Sequence, residues 1–379
     1  MRILIAGDLC PMRYIDTYFD GEKCVDNDLL NVFNNSDYSI INLEAPIKKI
    51  NSIPIDKSGP NLYASDTVIS LLKYINAKCV TLANNHLRDY GDDAVINTMK
   101  LLNENYINYV GGGSNKSDAS RTLLINHENE TIAIINCCEQ EWSIATDENP
   151  GANPLEPIDI YYALLEARKK ADYVLVIVHG GIEHYQLPTL EMKKLYRFFI
   201  DAGADAVINH HQHCFSGYEV YKGRPIFYGL GNFIFPAFSK NNIGWNDGYL
   251  VELTTHLQSR KTTFRIIPYN QCKEKFGVVK MTTEEEDRFN IRISDLNAVI
   301  ADDRKLIKEY NSFCAENKSF FKPVLNPYSG RILQALYRRK LLPRPFSKAQ
   351  LCYMYDVINC ESHRNRFLNY LIEKIGCID

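Results

Sequence analysis

The sequence predicts an α/β fold, a parallel or mixed sheet flanked by helices, with a helical extension at its C-terminal end. Two observations carry this. Short apolar, β-branched runs alternate with longer segments whose apolar residues recur at three- and four-residue steps, the pattern of βαβ units. After about Lys280 strand patterns cease and only helical ones remain. The chain of 379 residues, 45% hydrophobic and 23% charged, has the size and composition of one large domain or two and excludes a disordered or fibrous chain.

In chain order, the expected strands are Arg2–Ala6, Tyr38–Asn42, Cys79–Leu82, Ile132–Cys137, Tyr173–Val178 and Ala206–Ile208. The helices between them are Asp66–Tyr74, Asp92–Asn105, Ile160–Lys170 and Leu190–Ala202. Tyr218–Tyr221, Pro225–Tyr228, Tyr249–Thr254 and Thr263–Pro268 read as antiparallel strands, with Lys222-Gly223 as a hairpin turn. Thr282 to Asp287 is an acidic opening to one long helical pattern running to Glu316. Pro323, Pro327, Pro343 and Pro345 mark joints around two further helices, near Arg331–Lys340 and Lys348–Ile375. The expected division is a domain of residues 1–275 and a helical extension of residues 276–379.

A net charge of -3 gives no whole-molecule attraction to nucleic acid, and no nucleic-acid-binding motif is present. The 11 cysteines are odd in number, scattered from Cys10 to Cys377 and free of any CxxC pair, so they read as reduced thiols. The run Ile3–Gly7 is too short for a signal-peptide core, and no stretch is long and apolar enough to span a bilayer. The expectation is a cytoplasmic protein without a transmembrane segment, peripheral at the membrane at most. One surface could recruit it to anionic lipid or a partner: the basic cluster Arg331, Arg338, Arg339, Lys340 and Arg344, whose plainer reading is a solvated helix face.

The functional signal lies where the strands end. The first runs into Gly7-Asp8, the second into Asn42-Leu43-Glu44, the third into Asn84-Asn85-His86, a later one into His179, and the last into Asn209-His210-His211-Gln212-His213. Taken singly, each has an ordinary explanation as a turn residue, a helix cap or a hydrogen-bonded histidine. Taken together they put Asp, Glu, Asn and His at five strand ends, where open α/β sheets bind ligands. Alternate residues of an extended segment share a face, so His211 and His213 are expected to reach one cation cluster and His210 to face away, as a supporting residue. The oxygen-rich donor set, without a thiolate quartet, suits two divalent cations such as Mn, Fe or Zn bridged by a carboxylate. Histidine is the usual residue for proton exchange near physiological pH, and His86 is placed to give a proton to a leaving group; Asp89, three residues on, can orient its ring or cap the next helix. Glu183 and His184, after Gly180-Gly181, and Asn232 in Gly-Leu-Gly-Asn-Phe are candidates for substrate contact or support.

These motifs, with Asn42-Leu43-Glu44-Ala45-Pro46, Ala83-Asn84-Asn85-His86 through Asp89-Tyr90-Gly91, Gly203 to His213 and Gly217 to Phe233, resemble the CapA family. That family is a capsule-synthesis, poly-γ-glutamate-associated group with a calcineurin-like metallophosphoesterase fold. The resemblance covers residues 3 to 236 and implies two sheets flanked by helices with a metal centre at one sheet edge. It implies Asp8 and His213 on one metal, Asn85, His179 and His211 on the other, Glu44 as the bridge and His86 as the proton donor. It implies a metal-dependent hydrolase using metal-activated hydroxide on an anionic substrate or polymer, at a phosphoester or a γ-glutamyl amide. The alternative it leaves open is a non-catalytic component of a polymer-synthesis complex with a structural or vestigial metal site. The sequence departs from the related phosphoesterases at Cys10, where a histidine is usual, and from the family at Asn209 and Gln212, where glycine and proline are usual.

Overall fold

The structure, a computed structural model, describes all residues except 20–23, 58, 237–243, 257–260, 274, 318–327, 329, 344–345, 361–362, 365–366, 368–370 and 372–379. The strands are β1 (Arg2–Leu9), β2 (Tyr38–Leu43), β3 (Cys79–Thr81), β4 (Asn108–Val110), β5 (Gly112–Gly113), β6 (Leu123–His127), β7 (Glu130–Cys138) and β8 (Gly151–Ala152). They continue with β9 (Tyr173–His179), β10 (Ala206–His210), β11 (Tyr218–Tyr221), β12 (Arg224–Phe227), β13 (Asn232–Ile234), β14 (Asp247–His256), β15 (Lys261–Gln271) and β16 (Val278–Lys280). The helices are α1 (Tyr14–Tyr18), α2 (Asn27–Asn34), α3 (Thr67–Tyr74), α4 (Gly91–Glu104), α5 (Lys116–Ala119), α6 (Pro157–Arg168), α7 (Leu190–Asp201), α8 (Thr283–Ile300), α9 (Asp303–Glu316), α10 (Arg331–Arg338) and α11 (Lys348–Asn359).

An 8-stranded sheet runs β16-β15-β14-β1-β2-β3-β4, with β13 beside the end of β1. Its half from β1 to β4 is parallel, and β14 to β16 add an antiparallel wing. A 6-stranded sheet runs β11-β12-β10-β9-β7-β6, parallel from β12 to β7 with antiparallel edges. The sheets face each other. Phe264 of β15 meets Phe227 of β12 with ring centroids 5.1 Å apart, and Asn136 Oδ1 on β7 accepts from Ala83 N, just past β3, at 2.8 Å. Helices cover the outside: α2 and α4 lie on the first sheet, α6 and α7 on the second. This is the two-sheet sandwich expected from the sequence. The central strands are continuous apolar runs because both their faces are covered; β2 and β9 are buried along their whole length.

Two features differ from the expected elements. The single long helix expected over 282–316 is two helices. α8 opens with a capping box between Thr282 and Glu285, and Asp302 Oδ1 then accepts from Arg304 N at 2.9 Å and Lys305 N at 3.2 Å, starting α9 afresh. Several short strands, among them β4, β6 and β13, carry too little periodicity to declare themselves in the sequence.

The chain forms two compact units, Met1–Lys308 and Glu309–Asp379. α8, which starts beyond residue 275, is part of the first. Phe289 packs on Phe215 and Tyr249 at 4.8 and 5.8 Å, and Asn297 Oδ1 accepts from Tyr218 N at 2.7 Å. In the second unit, Tyr337 of α10 packs on Tyr328, and Arg331, Arg338, Arg339 and Lys340 are exposed. Arg344, three of the four joint prolines and most of the chain beyond Asn359 lie outside the described residues. Among the described residues no helix is long and apolar enough to cross a membrane, and the described cysteines are free thiols, those from Cys10 to Cys272 all buried.

The first sheet is pinned to the site by a close backbone approach. Asp8 N donates to Gly231 O at 3.1 Å, and a Cβ on Gly7 would lie 2.0 Å from that same oxygen. Gly231 itself has φ 78°, a left-handed conformation that glycine adopts at little cost. Gly7→Ala is therefore expected to lower stability by about 1–3 kcal/mol, read by chemical denaturation, because neither backbone segment can give way.

Candidate metal centre

Parallel pairing puts the functional residues side by side. Asp8 of β1 is in register with Asn42 of β2 and Asn232 of β13, and His179 of β9 with His210 of β10. Glu44 follows β2, and Asn85 and His86 lie in the turn after β3. The carboxyl ends of the two sheets thus converge on one dry crevice in which Asp8, Glu44, Asn85, His179, His210, His211, His213 and Asn232 are all buried.

Two groups of side chains share Glu44. One is Glu44, His179 and His211; the other is Asp8, Glu44 and His213; within each, the ligand atoms lie within 4.8 Å of one another. Glu44 Oε1 is 3.6 Å from both His179 Nε2 and His213 Nε2. Asp8 Oδ2 is 3.7 Å from His213 Nδ1. Asn85 Oδ1 joins the first group, 3.0 Å from His179 Nε2.

The donor chemistry fits cations. Both carboxylate oxygens of Glu44 are buried without a hydrogen-bond partner among the described residues. His179 Nε2 faces Asn85 Oδ1 at 3.0 Å, His211 Nδ1 at 3.1 Å and Glu44 Oε1 at 3.6 Å, three acceptors or potential acceptors around an atom that carries at most one proton. Imidazole, carboxylate and amide oxygen together suit a borderline divalent ion. Burial, aided by the charge of Asp8, pushes the Glu44 carboxyl well above the ordinary range, and burial together with His211 pushes His179 well below it. Burial likewise lowers His211 and His213 to about 4, which keeps both neutral with lone pairs to offer at neutral pH. Burial would raise Asp8, but the neighbouring His210 and His213 rings and the Asn42 hydrogen bond outweigh it and hold Asp8 below the ordinary carboxylate range.

Supporting groups fix these side chains. Asn42 Nδ2 donates to Asp8 Oδ1 at 2.8 Å and lies 3.2 Å from His179 Nδ1, while its Oδ1 accepts from Thr81 Oγ1 at 3.1 Å. Asn232 Oδ1 is 3.0 Å from His213 Nδ1, and its Nδ2 donates to the carbonyls of His213 and Trp245. Asn232 is fully buried and takes the supporting rather than the substrate-facing of its two expected places. His213 also packs between Trp245 and Phe235 at 4.9 and 5.0 Å.

His210 corrects the sequence reading. It does not face away: its Nδ1 lies 3.0 Å from Asp8 Oδ1, on the side of Asp8 away from His213. The alternation argument fails because β10 ends at His210, and the backbone then turns through φ 94° at His211 and 56° at His213. The His210 and His213 rings therefore both face Asp8, and His211 donates its backbone N–H to Asp8 Oδ2 at 3.3 Å. Cys10 lies in the apolar cluster of the first sheet and belongs to neither group of potential ligands, and burial pushes its thiol up.

At the rim, His86 Nδ1 lies 2.6 Å from Asp89 Oδ2, as expected of an oriented ring. Glu183 and His184 are exposed on the segment after β9; the His184 ring is 6.2 Å from that of His213 and 5.7 Å from Trp245. Glu141, which the sequence did not single out, is 3.4 Å from Asn85 Nδ2. Two further residues have no role in the sequence reading. Asn42 was readable, since it opens the Asn-Leu-Glu motif one strand from Asp8. Lys57, whose ammonium sits 3.2 Å from His86 Nδ1, has no local signal.

Residues 2–237 match the family model described as bacterial capsule synthesis protein PGA_cap. The PGA biosynthesis protein CapA of Bacillus subtilis is 31% identical over 272 residues, covering 69% of this chain and 70% of that protein. The capsule biosynthesis protein CapA of Bacillus anthracis is 29% identical over 284 residues, covering 71% and 67%. A solved phosphatase of Mycoplasma pneumoniae aligns at 15% identity with a TM-score of 0.42, over 71% of this chain and 92% of that one.

Glu44→Gln removes the shared charge. In chelator-treated protein it is expected to leave thermal stability equal or higher by about 1 kcal/mol, because a partnerless buried carboxyl is costly. With Mn(II) or Zn(II) at about 100 times the dissociation constant, the wild type should gain about 2.7 kcal/mol and the variant little of it. An equal metal-induced shift in the two proteins would rule out Glu44 as a ligand.

Proposed function

The chain belongs to the bacterial capsule synthesis protein family PGA_cap, and from that premise we propose that it is a metal-dependent hydrolase acting on an anionic substrate in surface-polymer synthesis. The observation that carries the reading is Glu44: a partnerless buried carboxylate shared by two groups of ligands, one strand end from a carboxylate-oriented histidine.

In this reading Asp8, Glu44 and His213 would hold one divalent cation, and Glu44, His179 and His211, with Asn85 beside them, would hold a second. Two such ions would supply Lewis acidity and an activated water at neutral pH. Everything else is done by the chain. Asn42 and His210 hold Asp8 between them, and Asn232 holds His213, so the ligands are set before substrate arrives. His86 has Nδ1 committed to Asp89 and no hydrogen-bond partner at Nε2 among the described residues. In its doubly protonated form the ring gives the Nε2 proton to the departing oxygen or nitrogen as its bond to phosphorus or to the γ-carbonyl carbon breaks, and keeps the Nδ1 proton that faces Asp89. His184 and Glu183 flank the approach. The association of relatives with capsule and PGA biosynthesis supports a polymer or its precursor as substrate, and the same arrangement serves a phosphoester or a γ-glutamyl amide.

Metal-free protein and protein reconstituted with Mn(II) or Zn(II) should be assayed on a phosphodiester, a phosphomonoester and poly-γ-glutamate. Metal-dependent turnover of at least one is expected, with His86→Ala lowering kcat about 10²–10⁴-fold and Asp8→Ala losing metal and activity together. Full activity in either variant, or two bound metals with no turnover of any of the three, would sink the hydrolase reading, the latter in favour of an assembly component with a structural site.

A further inference from the structure

Lys57 lies in a coil of mixed polar and apolar residues between β2 and α3, where a lysine ordinarily extends into water. Its side chain is instead 2% exposed. The ammonium pairs with Asp89 Oδ1 and lies 3.2 Å from His86 Nδ1. Asp89 is fully buried and is a hub: Oδ2 meets His86 Nδ1 at 2.6 Å and accepts from Leu62 N at 2.6 Å, and its backbone oxygen accepts from Ile55 N at 3.0 Å.

These contacts decide where the ring proton sits. With Asp89 a carboxylate paired to the Lys57 ammonium, a lone pair on His86 Nδ1 would set two acceptors 2.6 Å apart. The proton is therefore on Nδ1, aimed at Asp89, and Lys57 is a neighbouring charge rather than a donor to the ring. That tautomer requires Asp89 to be a carboxylate. A neutral carboxyl there would donate its own proton to Nδ1 and move the ring proton to Nε2. A fully buried carboxylate persists only with a counter-charge, and Lys57 is the cation that touches it.

We propose that Lys57 is a positioning residue for His86. It holds Asp89 as a carboxylate; Asp89 fixes the ring with its proton on Nδ1; every proton that His86 exchanges with a substrate then passes through Nε2. The kinetic consequence rests on the function proposed above, whereas the tautomer does not. A purely structural role, tethering the 55–62 segment, would leave the tautomer unmoved, since the Ile55 and Leu62 bonds to Asp89 hold that segment without Lys57.

The test is ring-nitrogen NMR on full-length protein labelled with ¹⁵N-histidine, as purified and loaded with diamagnetic Zn(II), with the His86 signal identified by its loss in His86→Gln. Wild type and Lys57→Arg should show His86 protonated at Nδ1. Lys57→Met and Lys57→Gln should shift it to the Nε2-protonated form, and kcat on whichever substrate is turned over should fall about 10–100-fold with KM within about threefold. A folded Lys57→Met or Lys57→Gln protein, checked by thermal unfolding, that keeps the Nδ1 proton overturns the proposal. Absence of turnover in the wild type would count against the hydrolase function and leave the tautomer result to decide Lys57.

Discussion

A carboxylate taken out of water must be matched by positive charge or lose its own, and the interior of this protein places three of them, Asp8, Glu44 and Asp89, within one crevice. Each is handled differently. Asp8 is steadied by the His210 ring and the Asn42 amide. Asp89 is matched by Lys57. Glu44 has neither, and its oxygens face histidine nitrogens that are themselves kept neutral by burial. The crevice is short of positive charge at one place, between Glu44 and its two groups of histidines, and the neighbouring packing is arranged around that shortage.

The same constraint explains the departures in the last ligand segment. A buried asparagine at position 209 is tolerated because its amide is paired at both ends. The two N–H groups of Nδ2 are shared among the carbonyls of Gly180, His210 and Tyr228, at 2.9, 2.8 and 3.1 Å, and its Oδ1 accepts from Tyr196 Oη at 2.6 Å. A residue that would cost stability if unpaired thereby ties the ends of β9 and β10 to the strand beyond. Gln212 is less well used: its Nε2 reaches Leu187 O at 3.3 Å, and its Oε1 has no partner among the described residues.

How much of this was legible in the sequence follows from the range of the interactions. The strands were legible because doubly covered parallel strands are unbroken apolar runs, and the polar residues of the crevice stood out because they follow the ends of such runs. Residues whose roles depend on where the chain goes next were not. His210 was assigned to the wrong face because strand alternation holds only while the strand lasts, and nothing local announces that the backbone turns at His211. Lys57 was invisible for a different reason: its partners are 29 and 32 positions away, joined to it only by folding. The break between α8 and α9 had a local signal in Asp302, a good N-cap, that the continuing apolar spacing concealed.

The helices after β16 bear on the site as well as on the outline of the fold. The chain leaves His213 through Cys214 to Phe215, and Phe215 packs on Phe289 of α8. Two residues later a Cβ on Gly217 would meet Asn297, Ile300 and Leu296 within 3.1 Å, so α8 lies directly against the segment that carries the histidine ligands. The far end of α8 is locked in turn by Lys193 of α7, whose buried ammonium reaches Asp303 at 2.7 Å and the carbonyl of Ile300. A turn with left-handed backbone at two of its histidines has little intrinsic preference for its own shape, so that shape is imposed from outside. Trp245 and Phe235 press on it from the first sheet, and α8 closes it from behind. On this argument α8 belongs with the histidine segment of the crevice, whose shape it helps to impose.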